Sequence, residues 1–171
     1  MKSYEVISET VSNIAVVSPR GMPRQQLVTI AEFIAQGGEV SLVNALSGVQ
    51  RSHLLGYALD EHGDIIAVTA MKSPLDTYKV KVFTAAGYPD LANQYQYEIG
   101  YSYTDTKHRR QGLAKAISQR LLSSVGGNIF ATTRSDNMPS KNSLASQGLS
   151  QLGKSWTSMR GDYSLELWVN R

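Results

Sequence analysis

HRRQGLAKAISQRLL, residues 108–122, sets a basic, glycine-containing segment directly against the start of a helix. From Leu113 onward the apolar positions Leu113, Ala114, Ile117, Leu121, Leu122 and Val125 recur at helical spacing, and Gly126-Gly127 ends the run. Gly112 lets backbone approach a ligand closely. A first helical turn offers unpaired amide N–H groups and the positive end of the helix dipole. Together these features suit an anion, and a pyrophosphate in particular. Arg109 and Arg110 add charge and directional donors beside Gln111. Neither the G-x-x-x-x-G-K-[ST] loop nor the G-x-G-x-x-G fingerprint is present. On these residues alone an anion cradle and a basic helix start facing water both stay open.

Outward from this stretch the pattern is mixed α/β. Tyr95 to Thr104, YQYEIGYSYT, alternates and is rich in tyrosine, which predicts a strand leading into the basic segment. On strict alternation Glu98 shares a face with Gly100, Ser102 and Thr104, while Tyr95, Tyr97, Tyr101 and Tyr103 share the other. Upstream, residues 23–38 read as a helix through Leu27, Ile30, Ala31 and Ile34, stopped by Gly37-Gly38. Residues 53–74 read as a hairpin turning at 61–64, with Pro74 ending its second strand. YKVKVF (78–83) alternates like a strand, and TAAGYPDLANQ (84–94) reads as a loop. Downstream come a short strand (NIFATTR, 128–134), a short helix closed by Gly148, and two strands around a turn at 160–162.

A chain of 171 residues suits one domain, here taken as residues 1–171 with a helical part at about 20–50 and a core at about 53–171. No apolar run approaches the roughly 20 residues that span a bilayer. The first residues lack the continuous apolar core of a signal peptide. The absence of cysteine removes disulfides, thiolate metal sites and a cysteine nucleophile, and fits a cytoplasmic setting. Three scattered histidines (His53, His62, His108) argue against a metal site. Charge is uneven: residues 1–100 hold 7 Lys/Arg against 10 Asp/Glu, or −3, and residues 101–171 hold 10 against 4, or +6. A basic half points to an anionic partner such as a nucleotide, a phosphate-bearing cofactor or nucleic acid. Arg134, Lys141, Lys154 and Arg160 form a candidate basic rim or a solvated face.

Arg109-x-x-Gly112-x-Ala114 resembles the R/Q-x-x-G-x-G/A signature of the GNAT acyltransferases, which bind the pyrophosphate of acetyl-CoA there. NMPSKNSLASQGL (137–149) resembles the family's N-x-x-S/A…G-F segment, with Asn137, Ser140 and Gly148 in register and Leu149 replacing the usual aromatic. The order of elements is similar too, best over about 50–171. The resemblance implies a GNAT-like single domain, with a twisted mixed sheet splayed at the cofactor and flanked by helices. It implies that the backbone of Tyr101, Ser102 and Tyr103 meets the pantetheine arm. It also implies that the loop amides of Arg109, Arg110, Gln111, Gly112, Leu113 and Ala114 meet the pyrophosphate, with Asn137 and Ser140 flanking the cofactor. The implied activity is acetyl transfer from acetyl-CoA to an amine on a small molecule or protein, with no membrane partner. A nucleic-acid-linked amine, a non-catalytic CoA- or partner-binding module, or a simple nucleotide-phosphate binder are the alternatives. A homodimer is compatible with the family.

Amine attack on a thioester needs a neutral amine, and amines of pKa roughly 10.4 are mostly protonated near pH 7. Glu98 is the candidate general base: its face carries only small residues, and it precedes Arg109 by eleven positions. That placement resembles the glutamate of the family's histone-acetylating branch. The family's tyrosine acid, seven residues after the motif asparagine, is replaced here by Leu144. A thiol leaving group of pKa near 8.5 needs a strong acid less than an alkoxide does. Ser143, Tyr101 and Tyr163 are the candidate substitutes, with Ser143 placed among the catalytic residues.

Overall fold

A computed structural model describes residues 13–170; most of the N-terminal stretch read for a signal peptide lies outside them. In chain order the elements are β1 (Asn13–Val17), α1 (Arg24–Ala35), α2 (Leu42–Arg51), β2 (Ser52–Leu59), β3 (Ile65–Lys72), α3 (Asp76–Ala86), β4 (Tyr95–Thr104), α4 (Leu113–Ser124), β5 (Asn128–Arg134), α5 (Met138–Ser146), β6 (Leu149–Thr157) and β7 (Ser164–Asn170). The strands form a single sheet in the order β1-β2-β3-β4-β5-β7-β6. Every neighbouring pair is antiparallel except β4 and β5, which run parallel because α4 carries the chain back between them. This is the mixed α/β architecture expected from the sequence.

Three apolar clusters hold the layers. On one face α4 lays Leu113, Ile117 and Leu121 against Met71, Ile99, Ile129, Ala131 and Trp168. On the other, α1 and α2 bury Leu27, Ile30, Ile34, Ala45 and Val49 against Leu55, Val68 and Ala70. There α2 is capped by Ser41, whose hydroxyl accepts from the Asn44 amide at 3.3 Å. The third cluster joins α3 to the β5–β7–β6 side through Val82, Phe83, Phe130, Leu152 and Leu167.

Two expectations from periodicity are overturned. Residues 78–83 belong to a helix, α3, rather than a strand. Its buried positions are Lys79, Val82, Phe83 and Ala86, a three- and four-residue stripe that the apolar alternation of Tyr78, Val80 and Val82 disguises. Lys79 can lie in that stripe because its ammonium reaches Asp76 one turn back at 2.9 Å. The helix stops at Gly87, in the left-handed conformation with φ 95°. Residues 89–94, part of the expected loop, form a short 3-10 turn.

The second correction lies in β4. Its pairing with β3 shifts between Val68 and Ala70, and Tyr101 takes a left-handed φ of 51°. The bulge reverses the alternation beyond Gly100. Tyr97 packs in the α4 cluster, whereas Tyr101 and Tyr103 pack under α1 and α2, and Tyr95 joins the α3 cluster. The four tyrosines therefore do not share a face. Ser102, whose hydroxyl pairs with that of Thr69 at 2.7 Å, and Thr104 fall on the face opposite Glu98. Gly100 stays with Glu98: a side chain built on it would meet the stem of Lys72.

Candidate active site

The strands around the opening segment come apart. The parallel ladder between β4 and β5 holds only at Tyr95↔Asn128, Tyr97↔Ile129 and Glu98↔Phe130. Beyond Glu98, β4 runs on to Thr104 beside β3 while β5 runs on to Arg134 beside β7. Among the described residues, the edge of β4 facing the gap, with the bulge at Tyr101 in it, thus has no strand partner past Glu98. That is the splay the sequence reading expects, and it leaves backbone groups for a ligand to satisfy.

On the α4 face the gap opens at the start of the helix. Arg110 and Gly112 both have left-handed φ, at 64° and 75°. For Gly112 the need is conformational, since a β-carbon there would find open space. The first helical bond closes from Ala116 N to Gly112 O at 2.9 Å. No described side chain caps the turn, and the amides of Leu113, Ala114 and Lys115 lack intrahelical partners. A cleft of about 430 Å³ lies over them, lined by Thr104, His108, Arg109, Arg110, Gly112, Leu113, Ala114 and Lys115, and from α5 by Pro139, Asn142, Ser143 and Ser146. An electropositive, amide-lined cleft of this kind fits a pyrophosphate.

Most of the sequence-selected loop residues meet there. Gln111 is not among the lining residues. Asn137 is engaged locally, its side-chain oxygen accepting from the Ser140 amide at 3.1 Å to cap α5. The Ser140 hydroxyl accepts from Thr133 at 2.9 Å. Ser143 lines the cleft and accepts from the Gln147 amide group at 2.9 Å. His108 pairs with Asp105 at 2.8 Å, and that bond holds the Asp105 carboxyl below its ordinary range. His108, Lys115, Pro139, Asn142 and Ser146 were not singled out by the motif, and their place in the loop, in the first turn of α4 or on the exposed side of α5 was the available signal.

On the opposite face sits Glu98, 2% exposed in the middle of the sheet. Its Oε1 accepts from the Tyr78 hydroxyl at 3.0 Å and from Thr132 Oγ1 at 3.1 Å. Its Oε2 lies 2.9 Å from Lys72 Nζ, which also stands over the Tyr101 ring at 4.6 Å. Tyr78 comes from α3, Thr132 from β5 and Lys72 from β3, so three elements converge on the one carboxylate that β4 carries. Burial, and next the charge of Glu98, drive the Tyr78 hydroxyl well above its ordinary pKa. Sequence reasoning missed Tyr78, Lys72 and Thr132, because misreading 78–83 as a strand removed the element that brings Tyr78 in. Glu98 and Ser143 are not brought together: one lies on the α3 face and the other in the α4–α5 cleft. Leu144, standing where the family has its tyrosine, is buried in the α4 cluster.

The expected basic rim divides. Lys141 pairs with Glu166 at 3.1 Å and donates to the Ser135 carbonyl at 3.1 Å. Arg134 instead reaches toward the α1–α2 loop, 3.4 Å from Glu39, with its guanidinium 4.0 Å from the centre of the Tyr163 ring.

No family model matches this sequence, and no curated protein matches it by sequence. Its fold has clear relatives. An acyl-CoA N-acyltransferase from Pseudomonas aeruginosa superposes with a TM-score of 0.67 at 10% identity, over 94% of this chain and 99% of that one. The ribosomal-protein-S18-alanine N-acetyltransferase from Escherichia coli gives 0.63 at 13% identity, over 92% of both chains. An acetyltransferase of the GNAT family from Streptococcus pneumoniae gives 0.62 at 6% identity, over 92% and 98%. The chain has the fold of the GNAT N-acetyltransferases.

Proposed function

We propose that this chain moves an acetyl group from acetyl-CoA to an amine by direct attack, with Glu98 as the general base. One observation carries the reading: the β4–β5 gap has an uncapped helix start and a basic loop on one face and a buried carboxylate on the other. Acetyl-CoA bound there would supply an activated acyl group and a thiol leaving group. The amides of Leu113 to Lys115, with Arg109 and Arg110, hold its pyrophosphate. The open edge of β4 at Tyr101, Ser102 and Tyr103 holds the pantetheine arm. Ser143, on the cleft wall, contributes a contact to the donor.

Glu98 takes the proton that the amine loses as its nitrogen bonds to the acyl carbon and the carbon–sulfur bond breaks. Both lone-pair positions of Oε1 are used by Tyr78 and Thr132, and Oε2 carries Lys72. The proton route therefore runs to the remaining site on Oε2 or through the Tyr78 hydroxyl, which accepts from the amine while donating to Oε1. Tyr78, 36% exposed, is the better placed to meet a substrate. Its raised pKa keeps it protonated, so it passes a proton on and does not store one. A cytoplasmic setting accords with the absence of cysteine.

The test is release of CoA from acetyl-CoA with a panel of primary amines, for the native chain and Glu98→Gln. Loss of a general base lowers kcat by about 10²-fold or more, with binding of acetyl-CoA retained. Full turnover by Glu98→Gln at every pH removes Glu98 from the mechanism, and silence of the native chain on every amine removes the reaction.

A further inference from the structure

We propose that Arg134 is a specificity residue that selects an acceptor carrying a carboxylate beside its amine, a free amino acid in the simplest case. The inference rests on the acetyltransferase reading and adds the substrate class.

Arg134 ends β5 two residues beyond Thr132, whose hydroxyl donates to Glu98. Residues two apart on a strand share a face about 6.6 Å apart. Phe130, which packs against Phe83 of α3, completes that face. Arg134 thus lies on the acceptor side of the gap, one strand step from Thr132, the residue that hydrogen-bonds Glu98.

The guanidinium is prepared for an anion. The Tyr163 ring lies against it at 4.0 Å and fixes its plane. Its Nε is buried and has no hydrogen-bond partner among the described residues. Among the described residues one ion pair meets the adjacent edge: Glu39 Oε2 at 3.4 Å from Nη2, long for a charged pair. The Glu39 side chain is 68% exposed and comes from the loop between α1 and α2, across the gap. An exposed single-point pair of this kind holds weakly. An orphaned buried Nε beside a loosely held Nη2 is the edge that takes a carboxylate bidentately. Glu39 occupies part of it with the same chemical group, so it acts as an internal competitor that an incoming carboxylate displaces.

The opposite signs of two substitutions test this. CoA release is measured with L-α-amino acids and with the matching α-carboxamides. The native chain favours the acids in kcat/KM by about 10- to 100-fold, the range for a charge-assisted pair. Arg134→Gln brings the acid-to-amide ratio close to one, and Glu39→Gln raises it by lowering KM for the acids. In parallel, N-acetyl amino acids and N-acetyl amino amides are titrated calorimetrically into each protein with CoA present. The native chain binds the acids more tightly, and Arg134→Gln does not. Equal ratios in the native chain, or a ratio unmoved by both substitutions, overturn the proposal. If no amine releases CoA, the acetyltransferase reading falls, and the calorimetric comparison of acids with amides still decides for or against carboxylate recognition by Arg134.

Discussion

Tyr78 and Glu98 share a hydrogen bond of 3.0 Å whose cost appears at alkaline pH. Burial, and then the charge of Glu98, raise the Tyr78 pKa above the ordinary value near 10. The folded state therefore keeps its proton where the unfolded chain releases it. Stability tied to Tyr78 is fully present below about pH 10 and is lost as pH climbs above that value toward the folded pKa. Tyr78→Phe removes this dependence. Melting temperatures from pH 8 to 11 fall more steeply for the native chain than for the variant, and parallel curves would show that the hydroxyl is not held as described. The same residue scale explains why Glu98 is not a solvent-facing carboxylate: three donors from three elements fix its position.

At the scale of elements, α3 carries the most information about the site and was the element least visible in the sequence. It is tethered by Phe83, fully buried against Tyr95 at 5.1 Å and Phe130 at 5.4 Å between ring centres. Phe83→Ala costs about 3–5 kcal/mol, from lost transfer energy and the cavity left behind. Urea unfolding shows this as a lower midpoint with an unchanged slope. Because α3 also delivers Tyr78, CoA release by the variant falls more than for a surface control such as Lys81→Ala. A second element-scale constraint is the contact between α2 and the bulge. Gly48 leaves room for the Tyr101 ring, and a side chain there would collide with its hydroxyl end. The absent side chain on α2 and the left-handed turn in β4 are one feature: the helix lies close enough to seal the bulged strand from above.

For the whole molecule, the parting of β4 from β5 is what makes a two-sided site. In the proposed reaction, donor and acceptor reach one gap from opposite faces, the donor over α4 and the acceptor between α3, the α1–α2 loop and the β6–β7 turn. A ligand that binds only the folded state at 100 times its Kd stabilises it by about 2.7 kcal/mol, several degrees for a chain of this length. Acetyl-CoA is expected to produce that shift in the native chain. Gly112→Glu abolishes it, by placing a carboxylate and a strained left-handed residue at the phosphate loop. A shift of equal size in the variant would move the pyrophosphate elsewhere.

What the sequence determined by itself is local: the β4 strand, the α4 helix from Leu113, the glycine that opens it, the basic loop before it and the closing strands. These are legible because helix and strand periods, glycine stops and helix-start chemistry act over a few neighbouring residues. It also singled out Glu98, since position relative to the loop is a property of the chain. What only the tertiary structure decided is who meets that carboxylate. The helical state of residues 78–83 is set by Val82 and Phe83 docking on Phe130 and Leu167, against an alternation that reads as strand. The bulge at Tyr101 breaks the two-residue period that would have put Ser102 and Thr104 beside Glu98. Lys72, Tyr78, Thr132 and the Glu39–Arg134 pair come from separated stretches of chain. Contacts between them arise from packing over long sequence separation, which no local period encodes.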